Sequence, residues 1–406
     1  MPILRSHAAL EIVWGIRAFL YLNAGLTRGE PPDFEKKFMQ AQNRVKQHRR
    51  QLKRMREQLS NKDQQLKQMQ RRLSESHRLV TALQAGLDQP VEHLPSGLVD
   101  AKAAKASEHW ARHVEARRSG EWSATNWLEH EAMARLYINP MSTGSPDEEW
   151  FDYIARKYFS EPVGKTLSLG CGGGELERRA LSLGICESLD AYDVSEGSIE
   201  AAREEAREAG FLDRINYAVA DFNRISLPEN AYDAVFAAMA VHHLENLEGV
   251  YVELTKALKP GGLFVFNEYV GPSQFQWTDT QLKLANELLR SVPERYRVTD
   301  EGSVLREVKR PNIEAMNELD PSESIRSEEI MALTEHFFDI LERRDYGRTL
   351  LHVVLAEGTI RNYDPDDEED VALLRRMIEF EKYHIAVGDI GSDFTHVIAR
   401  NRAAAS

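Results

Sequence analysis

A short apolar strand that runs straight into a glycine-rich turn, Thr166-Leu-Ser-Leu169 followed by Gly170-Cys-Gly-Gly-Gly174, constrains this chain more than any other stretch. A helix is expected to open at about Glu175, so the turn brings bare backbone to the carboxyl end of a strand, where open α/β sheets bind ligands. Only glycine permits so close an approach. A second strand, Ser188 to Tyr192, ends in Asp193, about 20 residues past the first glycine, where a carboxylate can accept hydrogen bonds from ribose hydroxyls. The spacing suits an adenosine-bearing cofactor.

Nicotinamide enzymes share this plan, and the glycine pattern separates the two. A dinucleotide fingerprint reads G-x-G-x-x-G, but the sixth position here is Glu175, an anion where a pyrophosphate needs a free helix amino terminus. The G-x-G-x-G form over Gly170 to Gly174 instead resembles motif I of the class I S-adenosylmethionine-dependent methyltransferases, and the resemblance covers about 160 to 270. It implies S-adenosyl-L-methionine as cofactor, with Gly170, Cys171, Gly172 and Gly174 along its methionine and ribose part and Asp193, followed by Val194, on the ribose diol. Ala220-Asp221-Phe222, after a third strand (Ile215 to Val219), is similar to the stretch that contacts adenine. The fourth strand, Tyr232 to Phe236, leads into Ala237-Ala238-Met-Ala-Val-His242-His243-Leu244, similar to the segment between cofactor and acceptor. Leu258-Lys-Pro-Gly-Gly262 resembles the turn into strand five. The family usually carries an acid two residues before the first motif glycine, where this chain has Ser168.

Asp193 and Asp221 also suit plain strand-end capping, and His242 and His243 can simply pack and cap a helix start. Beyond strand five, Asn267-Glu-Tyr-Val-Gly-Pro-Ser-Gln-Phe-Gln-Trp277 lies at a strand's carboxyl end, the place for acceptor binding. The expected acceptor contacts are His242, Tyr269, Gln276 and Trp277. A hydroxyl acceptor must lose a proton as the methyl arrives, so a base is useful, with Glu268 the first candidate and His243 the second. The preferred acceptor is a hydroxyl on a saccharide, other glycan or small metabolite; a nitrogen or carbon acceptor is the runner-up. A scaffold that binds the cofactor without turnover is the alternative from outside enzymes.

Before this region, Asp33 to Leu87 places Phe34, Phe38, Ala41, Val45, His48, Leu52, Met55, Leu59, Lys62, Leu66, Met69, Leu73, Ser76, Val80, Leu83 and Leu87 at alternating spacings of four and three, with His48, Lys62 and Ser76 as polar seam positions. Sustained for about seven heptads, this predicts a coiled coil of roughly 80 Å that makes the chain a homo-oligomer. The stretch holds fourteen Lys and Arg against five Asp and Glu, in a chain of net charge −14. Such a basic helix is either a solvated face or a docking element for a sister chain's acidic body or an anionic membrane surface. The acidic balance elsewhere argues against nucleic acid as a partner.

The remaining boundaries follow from composition. Residues 1–32 hold an apolar helix interrupted by Glu11, Arg17 and Asn23, a poor membrane span and a poor secretory signal. Residues 88–106 read as a linker, and 107–159 as a helical cap with Trp110, Trp122, Trp127 and Trp150, either lid residues or packing. Residues 160–406 form the methyltransferase core, with helical insertions at 279–335 and 343–392. The acidic run Asp364 to Asp370 lacks calcium-loop spacing and reads as a helix start. The two cysteines, Cys171 and Cys186, give neither a disulfide framework nor metal-ligand spacing, which fits a cytoplasmic setting; no metal is expected. The fold class is α/β: a doubly wound, mostly parallel seven-stranded sheet with an antiparallel terminal hairpin, preceded by the helical cap and the coiled coil.

Overall fold

The computed structural model describes residues 130–402 together with Lys105, Ser107 and Arg112. The apolar helix expected over 1–32, the coiled coil over 33–87, most of the linker, and Trp110, Trp122 and Trp127 lie outside the described residues. Among the described residues, no helix is long and apolar enough to cross a membrane.

Seven strands form one sheet: β1 (Val163–Leu169), β2 (Cys186–Asp193), β3 (Ile215–Val219), β4 (Tyr232–Ala238), β5 (Leu258–Tyr269), β6 (Phe338–Asp345) and β7 (Phe394–Asn401), in the order β3-β2-β1-β4-β5-β7-β6. The first five pair in parallel, and β7 lies antiparallel between β5 and β6. This is the doubly wound sheet with a terminal hairpin that the chain's pattern predicts. Strand order reverses at β1 and β4, so the crevice between their carboxyl ends is the natural ligand site. The expected strand five, Leu263 to Phe266, is longer than predicted, because Leu258 continues the pairing with Tyr232.

The inner strands are buried over most of their length because helices cover both faces of a parallel sheet. Leu167, Leu169, Val235, Phe264 and Phe266 are buried, each full burial contributing roughly 1.5–3 kcal/mol. Helices α1 (Trp150–Tyr158), α2 (Glu175–Ser182), α3 (Glu196–Glu208) and α4 (Leu247–Ala257) flank them. Trp150 stacks on His396 of β7 at 5.1 Å, which makes it a packing residue.

The two insertions and the segment ahead of the sheet are not independent decorations. Helix α5 (Asp279–Ser291), the turn Leu351–Val354, helix α6 (Glu368–Ala386) and residues 131–138 share one hydrophobic core around Tyr137, Leu284, Leu288, Leu351, Leu374 and Met377. The acidic run starts α6 as a cap: Asp367 Oδ1 accepts the backbone N–H groups of Glu369 and Asp370. Glu381, on the same helix, is fully buried and accepts from the Tyr137 hydroxyl and from the backbone N–H groups of Arg348, Leu350 and Leu351. It ties the segment ahead of the sheet to both ends of the second insertion.

Candidate active site

The glycine turn folds tightly onto the end of β2. Gly170 and Cys171 donate to the Tyr192 carbonyl at 2.9 and 3.0 Å, and Gly172 donates to Asp193 Oδ2 at 2.9 Å. Asp193 Oδ1 accepts from Ser195, whose own side chain caps α3. A Cβ on Gly170 would sit 2.6 Å from that of Ala240, and one on Gly174 2.4 Å from the Tyr217 hydroxyl, with φ positive at both. The turn can therefore exist only as glycine, wedged between the ends of β1, β4 and β3. Burial raises the Asp193 carboxyl above its ordinary range, and the Ser195, Gly172 and Val194 N–H groups pull it back.

Asp221 ends β3 and caps the turn Phe222–Arg224, accepting from Asn223 at 3.0 Å. Phe222 is buried beside it and Ala238 ends β4. All the residues expected to bind the cofactor thus gather along the carboxyl edge of neighbouring parallel strands. Capping by Asp193 and Asp221 is real as well, so the two carboxylates orient the loops that they border.

The residues expected to act on the acceptor divide differently. Glu268 is 0 % exposed. Its Oε2 accepts from Ala240 and Val241 at 3.0 and 2.7 Å, and its Oε1 from Tyr269 N at 2.7 Å and from His242 Nδ1. With four donors already on its two oxygens, it clamps the turn after β4. His242, expected on the acceptor, is instead buried, with Nε2 3.6 Å from Glu323 Oε1. Burial opposes its charge, but Glu268, Glu323 and Asp320 outweigh burial and push its pKa up to about 9. His243 goes the other way: burial first, then the neighbouring His242 charge, lowers it below the ordinary histidine range. Its Nδ1 lies 3.0 Å from Ser322 Oγ. One imidazole of this tilted pair, 4.1 Å between ring centres, is held charged and the other neutral.

His242, His243 and Glu323 also bring one potential ligand atom each within 4.8 Å of one another. Sequence spacing gave no sign of this because Glu323 lies 80 positions beyond His243. The carboxylates around His242 hold a proton there, which competes with any cation.

Next to this pair stands an aromatic wall. Tyr269, Tyr346 and Phe394 form a buried cluster against which Met239, Phe275, Ile138 and Met141 pack. Phe275 lies 5.1 Å from Tyr269 edge to face, and stacks on Trp277 at 5.7 Å. His352 packs among Tyr269, Phe275 and Phe394, and burial, reinforced by Arg348, drops its pKa to about 3, so it is a neutral ring. Met239, Gln274 and Phe275 all hold φ near +50°, a conformation that costs a side-chain-bearing residue energy and clusters at functional sites. Of the expected acceptor residues, Tyr269 and Trp277 belong to this wall. Gln276 does not face it by hydrogen bonding: its Nε2 donates to Gln274 O and Pro311 O. Sequence reading missed Met239, Phe275, Phe394 and His352, which only the packing of β4, β5 and β7 unites.

Residues 167–266 match the family model described as a methyltransferase domain. This chain carries a class I S-adenosylmethionine-dependent methyltransferase domain. Among curated proteins, it is similar to a sterol 24-C-methyltransferase of Yarrowia lipolytica, at 34% identity over 124 residues that cover 30% of this chain and 32% of that protein. A second, sterol 24-C-methyltransferase ERG6A of Gibberella zeae, is 28% identical over 191 residues, covering 41% of this chain and 49% of that one. The chain thus spans about a third to a half of the curated relatives it matches. Among solved structures, the [4+2]-cyclase SpnF aligns with a TM-score of 0.44 and 16% identity, over 76% of this chain and all of that one.

Proposed function

We propose that this protein transfers the methyl group of S-adenosylmethionine to a carbon atom of an apolar, sterol-like small molecule. The observation that carries the reading is the wall at the carboxyl ends of β4 and β5, where half-buried Met239, Phe275 and Trp277 are backed by the buried Tyr269 and Phe394. Such a surface offers apolar area to a hydrocarbon body and few hydrogen-bonding groups to a sugar. The curated relatives point the same way, since their names specify methylation at carbon.

The hydroxyl acceptor expected from the sequence is set aside accordingly. Its first base, Glu268, has both oxygens engaged by four donors inside the protein. In carbon methylation the π electrons of the acceptor form the new C–C bond while the S–C bond breaks and its electrons stay on sulfur. A cation results, and aromatic faces attract cations. It then sheds a proton, for which the neutral His243 is the candidate base. Much of the acceleration comes from alignment of sulfur, methyl and acceptor.

The test is incubation of the purified protein with methyl-labelled S-adenosylmethionine and separate panels of side-chain-unsaturated sterols, long-chain isoprenoids and saccharides. Label on a carbon of an apolar acceptor supports the reading; label only on saccharide oxygen overturns it. We also propose, from the heptads, that the chain is an oligomer joined through residues 33–87 and, from two cysteines that give no disulfide framework, that it acts in the cytoplasm.

A further inference from the structure

The third residue of α2, Glu177, is 0 % exposed, and neither of its carboxylate oxygens has a hydrogen-bond partner of ordinary geometry. A buried ion in that condition costs several kcal/mol, so it is rarely kept without a use. The neighbouring cation spends its hydrogen bonds elsewhere and reaches Glu177 only through its charge: Arg178 donates to the Gly173 carbonyl at 2.7 Å and to Glu205 at 2.6 Å. The Ser168 hydroxyl and the helix's own N–H groups draw the Glu177 pKa down, but burial dominates and holds it at about 7.

Its position gives the use. Glu177 lies behind the glycine turn, in the electrostatic company of Cys171 and Asp193, and the Tyr217 hydroxyl on the same side, beside Arg178, likewise has no partner of ordinary hydrogen-bond geometry. That hydroxyl is the atom that a Cβ on Gly174 would strike, with Arg178 close by, so this side of the first turn of α2 borders the glycine turn directly. Ser168, on the strand that feeds the turn, is buried and uncharged. Nothing at the end of β1 therefore supplies negative charge, whereas the methionyl end of the donor carries an ammonium and a sulfonium.

We infer that Glu177 supplies, from the first turn of α2, the counter-charge for the methionyl ammonium group of S-adenosylmethionine, in place of an acid at position 168. The inference rests on the donor and not on the identity of the acceptor. Binding of the cation gives the buried carboxylate a charged hydrogen-bond partner, so affinity and loop order are gained together.

Isothermal titration of the full chain tests it with three ligands: S-adenosylmethionine, S-adenosylhomocysteine and methylthioadenosine, which lacks the amino-acid end. E177Q should weaken the first two by about tenfold or more, the loss expected for one charge-assisted hydrogen bond, and leave methylthioadenosine within about twofold. The paired variant S168D/E177A should regain most of the affinity that E177A loses. Unchanged S-adenosylmethionine binding by E177Q overturns the inference, as does equal weakening of all three ligands, which would mark a structural role. Failure of the unmodified chain to bind S-adenosylmethionine would instead overturn the cofactor itself, and this assignment with it.

Discussion

Glu268 and His242 form a buried carboxylate–imidazole pair that fixes the turn after β4: Oε1 receives His242 Nδ1–H, while Oε2 receives the N–H groups of Ala240 and Val241. Removing the carboxylate leaves a buried imidazole and three backbone donors without acceptors. E268A should therefore lower folding stability by about 3–5 kcal/mol, read as the midpoint of urea denaturation. A variant as stable as the parent that lost only turnover would show Glu268 to be a catalytic base after all.

The pair of histidines makes stability depend on pH with a definite sign. His242 titrates near 9 in the folded state, above its ordinary value of about 6.5, so its contribution is complete below about 6.5 and is lost as pH rises through 9. His243 is depressed, so the folded state loses stability as pH falls below about 6.5 toward its own pKa. Thermal unfolding from pH 5 to 10 should show H242Q with a flatter alkaline limb and H243Q with a flatter acidic one. Identical limbs in parent and variants would remove the charged-and-neutral assignment.

Phe275 holds φ +51° between Tyr269 and Trp277, an arrangement that costs backbone strain and that a packing role alone could have avoided. F275A should raise KM for an apolar acceptor by about 10-fold to 100-fold, the worth of one buried aromatic side chain, with S-adenosylmethionine affinity nearly unchanged. Equal losses for donor and acceptor would place Phe275 in the general scaffold.

The cofactor half of the site was legible because it is local: one strand, one glycine turn and one strand-end acid lie within 28 residues, Thr166 to Asp193, and each has a backbone reason for its identity. The sheet was legible for a similar reason, since apolar runs bounded by turns recur at regular intervals from Val163 to Tyr269. The acceptor half was not. Phe394 reaches Tyr269 only because β7 inserts antiparallel beside β5, and Glu323 reaches His242 from 81 positions away. Glu268 looked like a base because its residue type suits one; its four donors come from backbone geometry that no spacing reveals. Likewise, the shared core of 131–138 with the two insertions needs Tyr137 to meet Glu381 across 244 residues.

The heptads at 33–87 predict a self-associating chain. Double substitution L59D/L66D puts two charges into seam positions one heptad apart and should reduce the sedimentation coefficient of the full chain to that of a monomer at micromolar concentration. A parent that already sediments as a monomer would remove the oligomer, whatever the variant does.

Glu381 carries the final prediction, because the cap and the insertions share one core only if its carboxylate is in place. It takes the Tyr137 hydroxyl and three backbone N–H groups, from Arg348, Leu350 and Leu351, with burial raising its own pKa. E381Q keeps the volume but presents an N–H₂ group where an acceptor is needed, so at least one donor pair must face another donor. The acceptor side should loosen before the sheet does, because β1 to β5 have a core of their own around Leu167, Val235 and Phe264. Hydrogen exchange should therefore speed up in 279–291 and 368–386 with protection in β1 and β4 retained, and E381Q should bind S-adenosylmethionine while losing acceptor turnover about tenfold or more. Uniform acceleration of exchange across the sheet would show that the two cores unfold as one.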